Sequence, residues 1–379
     1  MENANSLSNK SPSTRIFWPH EVLGVLIEQL RRDGYTIVGP RIDQEAIVYE
    51  EIDSINDLPM GWTDEQSPGS YRLTKTSRER YFEYAVGPHS WKKFLFPPRV
   101  PLLETKKTDS GWIMRDIPTP SSKFAFFGAR ACELAAIAIQ DSVFLSKSYT
   151  DATYQSRRQD NLIVAVNCTT AASTCFCTSM ETGPRCTSGF DIVLTEIENG
   201  FLVESGSEVG SSIVGSLQGS IPTEEQLQEA EVALQGPLHQ ITRRLETKDL
   251  KDKLLNQLEN PHWEDIASRC LGCTNCTLVC PTCFCHSVEE VADLTQDRIV
   301  RERQWDSCFN LAFSHSGGGS VRNDIRSRYR QWMTHKLAYW IDQFGSSGCV
   351  GCGRCITWCP VGIDLTAEVA TLIGAEVSA

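Results

Sequence analysis

The sequence predicts an α+β protein, with an N-terminal α/β domain followed by a mainly helical, cysteine-rich domain. Short apolar runs alternate with helical patterns in the first half, and helical periodicity dominates the second. Near the C-terminus stand two cysteine runs of identical spacing, Cys270-x2-Cys273-x2-Cys276-x3-Cys280-Pro281 and Cys349-x2-Cys352-x2-Cys355-x3-Cys359-Pro360.

The elements follow in order. Residues 1–15 are polar without an apolar stretch, which reads as a disordered start and not as a signal peptide. Val22, Leu23, Leu26, Ile27 and Leu30 recur at helical spacing over residues 19–30. Residues 46–49 read as a candidate short strand. Residues 124–127 read as a buried strand running through Gly128-Ala129-Arg130-Ala131-Cys132 into a helix near Glu133. Further buried strands fall at 162–166, ending at Asn167-Cys168, and at 191–195. The Gly/Ser-rich stretch 205–220 reads as a linker or hairpin. Thr223 and Gln226 form a capping box that opens a helix. Over 321–342, Ile325, Tyr329, Trp332, Met333, Leu337 and Trp340 share one face, and Arg326, Arg328, Arg330 and Lys336 are expected mostly elsewhere. The expected units are therefore 1–15, an α/β domain over 16–220, and a helical two-cluster ferredoxin domain over 221–379.

The chemistry of the two runs supports that last name. A [4Fe–4S] cubane takes one thiolate on each iron, and the C-x2-C-x2-C-x3-C-P spacing is that of bacterial two-cluster ferredoxins, in which the fourth cysteine ligates the other cluster. Cys270, Cys273, Cys276 and Cys359 would then hold one cluster, and Cys349, Cys352, Cys355 and Cys280 the other. Structural zinc fits less well, since each run already has four cysteines at ferredoxin spacing and a trailing proline.

Eight of the 16 cysteines lie outside the runs. Cys168, Cys175, Cys177 and Cys186 follow a buried strand, as does Cys132, and parallel strands end on a common edge where ligand sites form. Cys132, Cys168, Cys175 and Cys177 are thus candidate ligands of a third cluster; the alternative is that several are buried apolar thiols. The tetrapeptide Thr-Cys-Phe-Cys occurs at 174–177 and again at 282–285. Cys283 and Cys285 are expected to pack around a neighbouring cluster, and Cys308 in the core.

A net charge of −12 argues against a nucleic-acid partner, and no stretch is apolar enough for a membrane span. A cysteine-rich chain without a secretory signal reads as cytoplasmic. No dinucleotide fingerprint, P-loop or H-E-x-x-H is present, and the seven histidines are scattered. No catalytic site of its own is expected, which points to an electron relay within a larger enzyme.

Gly87-Pro88-His89-Ser90-Trp91-Lys92, Gly128-Ala129-Arg130-Ala131-Cys132-Glu133-Leu134, Asn167-Cys168, both Thr-Cys-Phe-Cys segments, both ferredoxin runs, Trp305-Asp306-Ser307-Cys308 and Arg328-Tyr329-Arg330-Gln331 carry a resemblance over most of the chain. It resembles the beta subunit of sulfhydrogenases, the NAD(P)-linked [NiFe] hydrogenases, and is similar to the related iron–sulfur subunit of anaerobic sulfite reductase. The resemblance implies a hetero-oligomer in which this subunit passes single electrons between a flavin subunit that oxidises NAD(P)H and the small hydrogenase subunit, while a large subunit holds the nickel–iron site. Other readings are the equivalent subunit of a sulfite reductase, an FAD-binding oxidoreductase, and an iron–sulfur sensor.

Overall fold

A computed structural model describes residues 15–118, 122–146, 149–295 and 297–376. The expected start over 1–15 lies outside these, apart from Arg15.

The N-terminal half is built on a seven-stranded mixed sheet. Its order is Ile16–Pro19, Gly200–Ser205, Ile192–Ile197, Leu162–Val166, Phe124–Ala129, Thr36–Asp43 and Ala46–Glu51. The middle four are mutually parallel, and the outer pairings are antiparallel. The central strands are buried on both faces, which explains their unbroken apolar runs. Their period-2 alternation divides the core. Ala125, Phe127, Val164 and Leu194 meet the helix Glu21–Arg32 through Leu23, Leu26, Ile27 and Leu30. Phe124, Phe126, Ile163 and Val193 meet Leu134, Ile137 and Phe144 of the helix Ala131–Phe144.

The stretch expected as a linker instead contains the helix Glu208–Ser216. Ser207 Oγ accepts from the Gly210 N–H at 3.0 Å, and Ile213 and Val214 are buried against the sheet. Burial of those two side chains outweighs the poor helix propensity of the glycines and serines around them. The capping box at Thr223 and Gln226 does open a helix, Glu224–Gln240. It lies on the N-terminal sheet through Ala230, beside Phe17, Ile197 and Leu202.

Beyond it come the helices Leu250–Leu255, His262–Arg269 and Leu365–Ile373, with a helical rod continuous from 325 to 344. They enclose a core of Leu254, Trp263, Ile266, Trp332, Met333, Leu337, Val369 and Leu372. Helix is interrupted here by a hairpin, His286–Ala292 and Arg298–Trp305. It pairs with the hairpin Arg99–Thr108 and Gly111–Asp116 to make a four-stranded antiparallel sheet. Contacts therefore cross the expected 220/221 boundary in both directions: a helix from the second half covers the first sheet, and strands of both halves share the second. Among the described residues no helix is long and apolar enough to cross a membrane.

Candidate metal centres

The helix His262–Arg269 ends at Cys270, its C-cap. Gly272 (φ +62°) and Thr274 (φ +70°) then turn the chain back, and the short helix Asn275–Leu278 carries Cys276. This wrap brings Cys270, Cys273 and Cys276 to one cavity, which Cys359 of the second run also lines. Cys355 stands in its wall, and Phe309, Tyr329, Trp332 and Ile363 close its sides. The N–H groups of Gly272 and Ile363 donate to Cys270 Sγ (3.4 Å) and Cys359 Sγ (3.3 Å). Cys273 is exposed, so this end of the site faces solvent.

The converse crossing occurs on the other side. Cys355 lies within electrostatic reach of Cys349, Cys352 and Cys280. Thr282 Oγ1 touches Cys280 Sγ at 3.1 Å and donates to the carbonyl of Gly348 at 2.7 Å, tying the fourth cysteine of one run to the first of the other. Lys336 Nζ reinforces the tie. It donates to Cys280 Sγ (3.2 Å), Thr282 Oγ1 (3.0 Å) and Gly348 O (3.1 Å). The side chain is buried. Burial alone would lower its pKa, but the sulfurs of Cys280, Cys283 and Cys349 hold it well above the ordinary value, so it is an ammonium.

The remaining cysteine group stands where the parallel strands end. Cys132 lies in the first turn of the helix after Phe124–Ala129, and Cys168 two residues past Leu162–Val166. Cys132, Cys175 and Cys177 share an apolar cluster with Val350, against which Cys352 packs. Cys177 lies within electrostatic reach of Cys175, Cys168 and Cys352. Cys186, the fifth thiol of this region, directs its sulfur to the carbonyl of Val166 at 3.8 Å. The structure thus brings together Cys132, Cys168, Cys175 and Cys177, and aligns that group with Cys352.

Two glycines permit this approach. Gly351 (φ +63°) and Gly353 (φ +75°) flank Cys352, and a Cβ on either would come within 2.6 Å of Phe176 backbone or 2.4 Å of Thr174 O. Phe176 N–H donates to Gly351 O at 2.8 Å, Thr174 Oγ1 meets Thr357 Oγ1 at 2.8 Å, and the Phe176 ring is buried in the helical core. The second Thr-Cys-Phe-Cys does the reverse, setting Phe284 of the C-terminal half edge-on to Phe144 of the N-terminal half at 5.9 Å. Gly353→Ala should cost more than the about 1–3 kcal/mol of a strained left-handed residue, because it also drives two loops apart. Gly345→Ala is the control, with φ +72° and open space around it. Equal losses of denaturant midpoint in the two variants would refute the steric account.

An ion network locks the same junction. Arg354, between Cys352 and Cys355, donates to Gly87 O (2.8 Å) and His89 O (2.9 Å) and pairs with buried Glu133. Glu133 also accepts from Tyr49 Oη (2.8 Å), Trp91 Nε1 (3.2 Å) and the Arg130 N–H (3.0 Å). Partners on Arg354 Nε and Nη2 and on both Glu133 oxygens make the buried pair tolerable, although Arg354 Nη1 has none among the described residues. Lys92 bridges the halves too, donating to Thr277 O (3.3 Å), Leu278 O (3.1 Å) and Cys283 O (3.3 Å).

The donors suit clusters better than zinc. Thiolates around one zinc, at about 2.3 Å from it, stand about 4 Å apart. Among the described residues the one set of three candidate ligands within 4.8 Å of one another is His262, Asp265 and Glu368, and no three cysteine sulfurs are so close. Arg269 already pairs with both of that set's carboxylates. Burial pushes the thiols of Cys132 and Cys168 up, and those of Cys175 and Cys349 to about 12. Such thiols stay protonated until a thiophilic cation displaces the proton.

Comparison with known proteins agrees with these features. Residues 269–363 match a 4Fe-4S dicluster domain. Over 333 residues, 86% of this chain and 89% of the relative, the sequence is 30% identical to sulfhydrogenase 2 subunit beta of Pyrococcus furiosus. The chain belongs to the sulfhydrogenase beta-subunit family. No solved structure matches it. As a sulfhydrogenase beta-type chain with a dicluster domain, it is an iron–sulfur electron-transfer subunit.

Within this beta-type chain, Lys336 is the residue that helical periodicity misplaces. The pattern puts it off the apolar face of the rod, yet it is buried, four residues from both Trp332 and Trp340, which share that face. The rod widens to a π-helix over His335–Tyr339, a local irregularity common at functional sites. Its other cations also serve the fold: Arg328 donates to Phe309 O at 2.7 Å, and Arg326 and Arg330 pair with Glu259. The roles of Arg354 and Glu133 had no signal in spacing, because their partnership spans 221 positions.

Proposed function

We propose that this chain relays single electrons through three [4Fe–4S] clusters between a flavin subunit that oxidises NAD(P)H and a [NiFe] hydrogenase module, in a cytoplasmic hetero-oligomer. The proposed ligand sets are Cys270, Cys273, Cys276 and Cys359; Cys349, Cys352, Cys355 and Cys280; and Cys132, Cys168, Cys175 and Cys177. When bound, clusters of this type exchange one electron each. The partners are inferred from the relative's name, sulfhydrogenase 2 subunit beta, and from the family resemblance.

The observation that carries the reading is the seating of Cys352 against Cys132 and Cys177, while Cys276 lies within electrostatic reach of Cys280. The three sets are then contiguous, from exposed Cys273 through Cys276 and Cys280 to Cys352 and Cys177. Apolar walls around the first set and burial of Cys132, Cys175, Cys177, Cys280 and Cys349 limit the access of water, which protects sites that change charge.

The test is iron and acid-labile sulfide on anaerobically purified chain, with flavin assayed in the same sample. About twelve irons per chain are expected, four for each cubane. About eight would remove the third site, and stoichiometric flavin would favour an FAD-binding oxidoreductase. Purification with sirohaem-enzyme partners in place of a nickel–iron subunit would shift the assignment to the sulfite reductase type.

A further inference from the structure

Three cysteines outside the proposed ligand sets, Cys283, Cys285 and Cys308, line one cavity beside the second Thr-Cys-Phe-Cys segment, with His335, Lys336 and Arg322. All three are partly exposed. Cys283 lies within electrostatic reach of Cys280. Cys285 and Cys308 are paired with each other. The loops that carry them are joined by the Asp306 N–H donating to Cys285 O at 2.9 Å, and Cys308 lies within electrostatic reach of Cys285.

We propose that Cys285 and Cys308 form a redox-active dithiol that reduces small organic disulfides bearing acidic groups, bound in this cavity. Arg322 of the lining, whose side-chain partners Ser314 and Gln331 are neutral, favours an anionic guest. The cations on the loop that carries Cys285 assign the roles: Lys92 donates to Cys283 O at 3.3 Å and Lys336 to Thr282 Oγ1 at 3.0 Å. The thiol of Cys308 pulls Cys285 down to about 7, against burial and with help from the Cys308 N–H, Lys336 and Lys92, while the same contact pushes Cys308 up. Cys285 is thus the attacking thiolate and Cys308 the resolving thiol. Cys285 sulfur attacks one sulfur of the guest, the guest's S–S bond breaks, and the first thiolate leaves and takes a proton. Cys308, deprotonated, attacks the mixed disulfide at the Cys285 sulfur and expels the second. The guest gains two electrons and two protons, and Cys285 and Cys308 lose the same on forming their disulfide. This exchange does not depend on the relay reading.

The experiment is a single turnover of the anaerobic full-length chain, freed of reductant, with dithiodipropionate. Release of two mercaptopropionates per chain and a Cys285–Cys308 disulfide in peptide mapping are expected. Cys285→Ser should abolish release, and Cys308→Ser should stop after the first thiol with the mixed disulfide held on Cys285. Iron content is measured in every sample. Undiminished thiol release in both variants would overturn the proposal, as would loss of about four irons per chain from either, the signature of a cluster ligand.

Discussion

Cys280→Ser should remove about four irons per chain and abolish electron transfer between NAD(P)H and the hydrogenase module, while flavin reduction in the partner continues. The informative part is which cluster disappears. Cys280 belongs to the first run in sequence but lies with Cys349, Cys352 and Cys355 in space. Its loss should therefore give the same spectroscopic phenotype as Cys349→Ser. Cys359→Ser should copy Cys270→Ser, because Cys359 lines the cavity of the first run. Low-temperature EPR of the reduced variants reads this directly. If Cys280→Ser instead matched Cys270→Ser, each run would hold its own cluster and the crossed arrangement would be wrong.

The second large effect is expected at Lys336. Its buried ammonium gives one hydrogen bond to Cys280 Sγ and two to the groups that hold Cys280 against Gly348. Lys336→Met takes the ammonium donor from a buried sulfur and from Thr282 Oγ1 and leaves Gly348 O with Thr282 alone, a loss of about 3–5 kcal/mol if the site behaves as a broken buried ion pair. Hydrogen bonds to sulfur and local positive charge raise the potential of an iron–sulfur site. Removal of Lys336 should accordingly shift the cluster proposed on Cys280 to a more negative potential and leave that on Cys270 in place. A redox titration followed by EPR separates the two. An unshifted pair of potentials in a variant with full iron content would show that Lys336 is structural only.

The core strands were legible because each is a short apolar run buried on both faces, as in Leu162–Val166. The helix Glu224–Gln240 was legible because Thr223 and Gln226 cap it locally. The helix at Glu208–Ser216 and the hairpin ending at Trp305 were not, since their stability comes from a sheet and a strand distant in sequence. For Lys336 the helical period was available, but a lysine flanked by Trp332 and Trp340 has reason to turn inward only when a sulfur waits there.

The sequence by itself determined the kind of chemistry. Thiolates at fixed intervals suit a cubane whatever surrounds them, and the glycines between them allow the loop to turn. It also marked the two Thr-Cys-Phe-Cys repeats without giving their purpose. Only the tertiary structure decided that Phe176 enters the opposite core, that Gly351 and Gly353 receive the first repeat's backbone, and that Cys132 and Cys177 therefore stand beside Cys352. These are close contacts between segments more than 170 residues apart, as in the Phe176 N–H bond to Gly351. Local propensity acts over a turn or two, whereas such approach distances are set by the packing of the whole chain.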